Sequence, residues 1–174
     1  MKYWRVITGV ALSLVLTACK SPTPPDGVSP ITNFDATRYL GKWYEVARLE
    51  NRFERGLEQV TATYGERNDG GLSVLNRGYD QSKGQWKESE GKAYFTEAST
   101  TASLKVSFFG PFYGGYNVIA LDDNYQYALV SGPNRDYLWI LSRTPTIPDS
   151  IKQHYLNIAR ELKFPVDQLL WIAH

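Results

Sequence analysis

The 174-residue chain holds few groups suited to covalent or metal chemistry. Cys19 is the one cysteine, so no intramolecular disulfide is possible. The two histidines, His154 and His174, stand near the C-terminus, and a His-rich metal site is not expected. Glu45, Glu90 and Asp136 have the chemistry of general acids and bases. Nothing in the sequence sets a nucleophile beside a base, and no Gly-x-Ser-x-Gly elbow occurs. The expectation is a protein with no catalytic residue, no metal and no cofactor, with an enzyme as the rival to test. Other groups that could do binding chemistry are Arg48, Arg52 and Arg55, which suit a carboxylate or phosphate but equally suit a solvated loop. Trp43 and Arg143 supply a ring and a guanidinium able to stack.

Composition narrows the field further. Nineteen basic residues against 18 acidic ones give a net charge of +1, which removes any strong electrostatic case for nucleic-acid binding. Hydrophobic residues at 43% and charged residues at 21% fit a packed globular domain. An aromatic share of 14% favours β structure.

Residues 1–18 read as a signal peptide: Lys2 and Arg5 precede an apolar run, Val6 to Leu16, that is too short to span a bilayer. The run ends Leu16-Thr17-Ala18-Cys19, which resembles the bacterial lipobox, and the resemblance implies that Cys19 is lipidated and becomes the first mature residue. Removing residues 1–18 leaves 17 basic and 18 acidic residues, net −1. Residues 19–30, with Pro22, Pro24 and Pro25, read as a lipidated tether and residues 31–174 as the domain. In the usual bacterial sorting pattern an Asp after the Cys retains a lipoprotein at the inner membrane. Lys20 in that place points to the outer membrane, lipid-anchored, on the periplasmic face.

The elements that position the chemistry form a meander. Short β-rich runs cover 43–49, 60–64, 72–78, 86–95, 104–109, 116–121, 127–131 and 137–143, with turn signals between them. Such short spacing leaves no room for crossover helices, so the sheet is antiparallel. Asn68–Gly71 and Asp122–Asn124 read as tight polar hairpins, and Thr96–Ser103 as a polar but longer link at the same end, which as a whole is expected to be the tight one. The other set is more elaborate: Glu50–Gln59 is long enough for a lid, followed by Asp80–Gln85, Gly110–Gly115 and Gly132–Asp136. Ile151, Tyr155, Ile158 and Leu162 make one face of a helix starting near Pro148, with Thr146 as N-cap and Pro165 as terminator. Leu169–Ile172 reads as a short closing strand.

Three motifs in order give these elements a family likeness. Gly41-Lys42-Trp43-Tyr44-Glu45 matches a Gly-x-Trp at the start of a first barrel strand. Arg135-Asp136-Tyr137 stands close to Thr-Asp-Tyr, and Arg143 is the lone Arg ending an eighth strand. The sequence resembles the lipocalins, nearest the bacterial outer-membrane lipoproteins of that family, with the apolipoprotein D group as eukaryotic relatives. The segments 108–118 and 137–143 carry the closer likeness. The implied fold is all-β: an eight-stranded antiparallel up-and-down barrel, a C-terminal helix packed outside and a short final strand. Gly41, Trp43 and Arg143 are then the barrel floor, a structural rather than ligand-binding set.

Phased with the family pattern, the inward residues are Glu45, Ala47, Val60, Ala62, Tyr64, Val74, Asn76, Ala93, Phe95, Val106, Phe108, Asn117, Ile119, Ala128, Val130, Tyr137, Trp139 and Leu141. A single β-bulge would invert that phase within a strand. Apolar walls with small residues and sparse polar groups suit a hydrophobic ligand. The resemblance implies fatty acids, such as palmitate, and phospholipids or lysophospholipids, stored or transported. Arg48, Arg52 and Arg55 lie near the expected lid. Phe112 and Tyr113, with Phe108 and Phe109, cluster at the mouth, where they meet a membrane, meet a second subunit in a homodimer, or fold inward. The alternative from another class is an interaction lipoprotein with a filled barrel and no ligand.

Overall fold

The computed structural model describes residues 22–174; the expected signal peptide, Cys19 and the first tether residues lie outside the described residues. Strands β1 (Gly41–Leu49), β2 (Leu57–Glu66), β3 (Leu72–Asp80), β4 (Gln85–Phe95), β5 (Ser103–Phe109), β6 (Phe112–Leu121), β7 (Tyr127–Ser131) and β8 (Leu138–Ser142) pair in sequence order. β8 returns to β1 and β1 also pairs with β2, which closes an eight-stranded antiparallel barrel. β9 (Leu169–Trp171) lies outside it on the upper part of β1, where Ala47–Leu49 pair with Trp171–Leu169. Helix α1 (Ala36–Tyr39) precedes the barrel and α2 (Asp149–Glu161) follows it.

Alternation along the strands separates two apolar layers. One fills the barrel around Trp43, Tyr64, Val74, Ala93, Leu104, Val118, Val130 and Leu141. The other lies between the barrel wall and α2, around Val46, Ala47, Leu49, Leu129, Ile140, Tyr155 and Ala159. The Tyr155 hydroxyl donates to the Tyr127 carbonyl at 2.7 Å and fixes the helix on β7.

The expected helix and closing strand form, with different caps. Pro148 occupies the N-cap position without a side-chain bond, and Thr146 offers only its carbonyl, to Thr144. The helix stops at Glu161, before Pro165: Lys163 N–H bonds the Arg160 carbonyl and Phe164 N–H the Ala159 carbonyl, with Lys163 at φ +66°. This is a Schellman ending whose left-handed position carries Lys instead of Gly. Helix α1 was not legible as an element, yet its signal is present: Asp35 accepts from Thr37 N–H at 2.9 Å.

The contrast between tight and elaborate ends is weaker than expected. Phe112 already belongs to β6, so the Gly110–Gly115 connection contracts to a two-residue turn, Gly110-Pro111, with Gly110 at φ +54°. The Glu50–Gln59 lid shortens to 50–56, because β2 begins at Leu57. At the other end the β4–β5 connection spans 96–102, and closure comes from the packing of Phe34, Tyr39 and Trp43.

Candidate functional site

The floor is built from the two ends of the barrel sequence. Trp43 is wholly buried, and its indole N–H donates to the Tyr39 carbonyl at 2.8 Å. The Arg143 guanidinium stacks 3.9 Å from the centre of the Trp43 ring. Its three nitrogens donate to the carbonyls of Lys42 (3.0 Å), Arg38 (2.9 Å) and Tyr125 (3.2 Å). Gly41 holds φ +91°, and a Cβ there would stand 3.5 Å from Arg143 Nη1. Immediately inside, the hydroxyl of Tyr116 meets those of Tyr39 (2.7 Å) and Tyr64 (2.8 Å).

Most of the residues expected to point inward do face the axis: Glu45 on β1, Val60, Ala62 and Tyr64 on β2, Val74 and Asn76 on β3, Ala93 and Phe95 on β4, Val106 and Phe108 on β5, Ala128 and Val130 on β7, and Trp139 and Leu141 on β8. Tyr137 precedes β8 at the rim and stacks on Trp139 with ring centres 6.0 Å apart. Ala62, Asn76, Phe95, Val106, Phe108, Tyr116 and Trp139 are each only partly buried although they face the barrel axis. These side chains keep accessible surface along the axis, unlike the wholly buried residues packed beside them.

Three inward assignments fail, each for a reason of register. β1 slips between Glu45 and Ala47, so Val46 and Ala47 both face outward against the α2 layer. The same slip turns Arg48 inward: it pairs with Trp139 and is 2% exposed, not a surface group of the mouth. On β6 the inward residues are Tyr116, Val118 and Leu121. Asn117 faces outward, where its amide accepts from Ser103 Oγ at 2.8 Å and Ser131 is its register partner. Ile119 shares the outward phase of Asn117, and a slip between Val118 and Ala120 keeps Ala120 outside too and returns Leu121 to the interior.

Arg48 organises the mouth. Its Nη1 donates to Glu45 Oε1 at 2.7 Å, and its Nη2 to the carbonyls of Glu54 (2.8 Å) and Leu57 (3.0 Å). Arg48 Nε has no partner among the described residues. The 50–56 strap is held a second time by Glu54, whose carboxylate accepts from Trp139 Nε1 at 3.0 Å and from Asn51 Nδ2. Burial and the neighbouring Glu54 carboxyl raise the Glu45 pKa well above the usual range, against the pull of Arg48. Asp80, at the inner edge of the mouth, is held down to about 2 by Lys87 Nζ at 2.6 Å and by the Ser82 hydroxyl.

The rim is aromatic and cationic. Phe53, Phe109 and Phe112 are 61%, 69% and 76% exposed. Phe108 instead folds inward, and Tyr113 is half-buried with Lys105 Nζ 4.9 Å from its ring. Arg52 lies over Phe53, and Arg55 pairs with Glu50 at 3.3 Å on the surface. Residues 22–30, expected as a tether, lie against the barrel with Val28 buried in the layer under α2, and the first of them stands beside this rim. A Cβ on Gly115 would come within 2.6 Å of the Pro22 carbonyl oxygen, and Arg135 Nη2 donates to the Asp26 carbonyl at 2.7 Å. From there the chain runs to the closed end, where Ile31 N–H bonds the Val118 carbonyl.

Glu54, Tyr39 and Tyr116 complete this site without having been expected there, and Arg48, expected near the lid, reaches the mouth from inside the barrel. The bulge that brings in Arg48 leaves no mark in the sequence, whereas Tyr116 stood one residue from the phase chosen for β6.

Residues 34–174 match the profile of the lipocalin-like domain. Over 172 residues the chain is 60% identical to the outer membrane lipoprotein Blc of Escherichia coli K12, covering 99% of this chain and 97% of that one. It is 54% identical over 169 residues to the outer membrane lipoprotein Blc of Vibrio cholerae, covering 97% and 98%. Rat apolipoprotein D is 34% identical over 136 residues, covering 74% and 69%. Among solved structures, insecticyanin from the tobacco hornworm Manduca sexta superposes with a TM-score of 0.71 at 21% identity, covering 88% and 87%, a likeness of fold.

Proposed function

The chain belongs to the lipocalin family, and from that premise we propose that it is an outer-membrane lipoprotein that binds acyl lipids in its barrel and stores or transports them on the periplasmic face. The observation that carries this reading is the partial exposure of side chains that face the axis, from Trp139 at the mouth to Tyr116 near the floor. An acyl chain entering that space gains about 0.8 kcal/mol per buried CH₂. A fatty acid or lysophospholipid places its head near the strap, where Arg48 Nε is a donor without a partner and Arg52 and Arg55 add positive charge.

Cys19 is the lipidated residue in this reading. The described tether starts at the rim, so the anchor brings the open mouth, with Phe53, Phe109 and Phe112, toward the bilayer that holds it. Ligand then passes between membrane and cup without crossing bulk water. The role is binding, not catalysis: Glu45 is enclosed by Arg48 and the strap, while Glu90 and Asp136 are exposed and remote from it in the barrel.

Competition with an apolar fluorescent probe tests this reading on the chain from residue 20, which contains every element of the barrel. Fatty acids and lysophospholipids displace the probe, and Ala62→Phe, whose ring enters the open interior, abolishes the displacement without loss of fold. A bound probe that no acyl lipid displaces would point to an interaction lipoprotein instead.

A further inference from the structure

We propose that the floor of the cup is a hydrogen-bond site for one neutral oxygen at the buried end of the ligand, so that acyl chains oxygenated near their far end are preferred guests. The inference rests on the acyl-binding reading and adds a second point of recognition to it.

Three tyrosine hydroxyls meet just inside Trp43. Tyr116 Oη lies 2.7 Å from Tyr39 Oη and 2.8 Å from Tyr64 Oη. Three hydroxyls bring three protons, and each of the two contacts uses one. Whichever way the chain is oriented, one O–H is left over, and the three hydroxyls make no further hydrogen bond among the described residues. Burial raises the pKa of all three phenols, so all three protons stay in place at neutral pH. Nearby donors and acceptors are already engaged: the Trp43 indole N–H bonds the Tyr39 carbonyl, and Arg143 bonds three backbone carbonyls. The surrounding side chains, Phe34, Val74 and Leu104 among them, are apolar.

A methyl terminus arriving here leaves the spare proton unsatisfied, which is costly in an apolar site. A carboxylate or phosphate requires more donors than one O–H supplies. A single hydroxyl, ether or carbonyl oxygen matches the site in number and in charge. Tyr116 faces the axis and is only partly buried.

The test compares hexadecanoic acid with 16-hydroxyhexadecanoic acid, and with 2-hydroxyhexadecanoic acid as a control, by probe displacement on the chain from residue 20. The native protein binds the 16-hydroxy acid more tightly than the plain acid, by about threefold. With Tyr39→Phe, Tyr64→Phe and Tyr116→Phe combined, the 16-hydroxy acid weakens by about tenfold relative to the plain acid. Removing every partner while keeping the shape is nearly neutral for folding. Tyr116→Phe alone works in the opposite direction: it separates Tyr39 from Tyr64, leaves two free O–H groups and raises the relative affinity of the 16-hydroxy acid. That variant decides the matter should the triple variant not fold. An unchanged ratio in the variants, or a response of the 2-hydroxy acid in place of the 16-hydroxy acid, overturns the floor site while acyl binding stands. Failure of all three acids to bind overturns both.

Discussion

Glu45 and Arg48 lie three positions apart on β1 and both face the axis only because Val46 is an extra residue in the strand. Their enclosure sets a pH response. Burial first, and the Glu54 carboxyl second, hold the Glu45 pKa above its ordinary 4.5. The folded protein therefore keeps a proton that the unfolded chain releases at lower pH. That contribution to stability is fully present below the unfolded value and is lost as pH rises toward the folded one. Asp80 works in the reverse sense. Its folded value of about 2 contributes stability above the ordinary 3.8, lost as the medium is acidified. Glu45→Gln fixes the neutral form. Denaturation midpoints of the native protein should fall as pH is raised from about 5 to about 8, and the variant should show a flatter slope. Parallel slopes would show that Glu45 keeps no proton in the fold.

At the level of elements, the strap and the helix ending each hang on a single feature. Trp139 Nε1 ties Glu54, and so the 50–56 segment, to β8. Trp139→Phe keeps the ring and removes that donor. Amide exchange in 50–56 should quicken by about tenfold, the loss of one charge-assisted bond, while β5–β8 keep their protection. Equal protection in both proteins would mean that Arg48 alone holds the strap. At the end of α2, Lys163 occupies a left-handed conformation that glycine adopts freely. Lys163→Gly should stabilise the domain by about 0.5–1 kcal/mol in denaturant titration, and a destabilised variant would show that the Lys side chain earns its place by packing. These elements also mark the reach of the sequence. Alternation was enough for Ala62, Val74, Ala93 and Val106, whose strands stay in register at those points. It failed at Ala47, where β1 slips by one residue, and at Ile119, which shares the outward phase of Asn117 on β6. A slip is decided by the fit of Val46 and Ala47 under α2, a tertiary condition that no local pattern carries. Asn117 was misplaced because its polar partners, Ser103 and Ser131, come from other strands.

The molecule as a whole is a cup with its closed end sealed by Trp43, Arg143 and α1, and its open end rimmed by exposed aromatics beside the start of the tether. Eight strands, the outer helix and the floor were legible because each has a local signature: turn residues, a helical stripe, and the Trp43 and Arg143 pair. The organisation of the mouth was not, since it depends on Arg48 turning inward and on a strap that folds back to meet it. The proposed function requires that this cup hold an acyl lipid. Native mass spectrometry of the chain from residue 20, produced in bacterial cells without its anchor and followed by lipid extraction, tests it most directly. One fatty acid or lysophospholipid per barrel is the expected result, and the same spectrum counts the subunits. An empty barrel that also takes up no added lipid would contradict it.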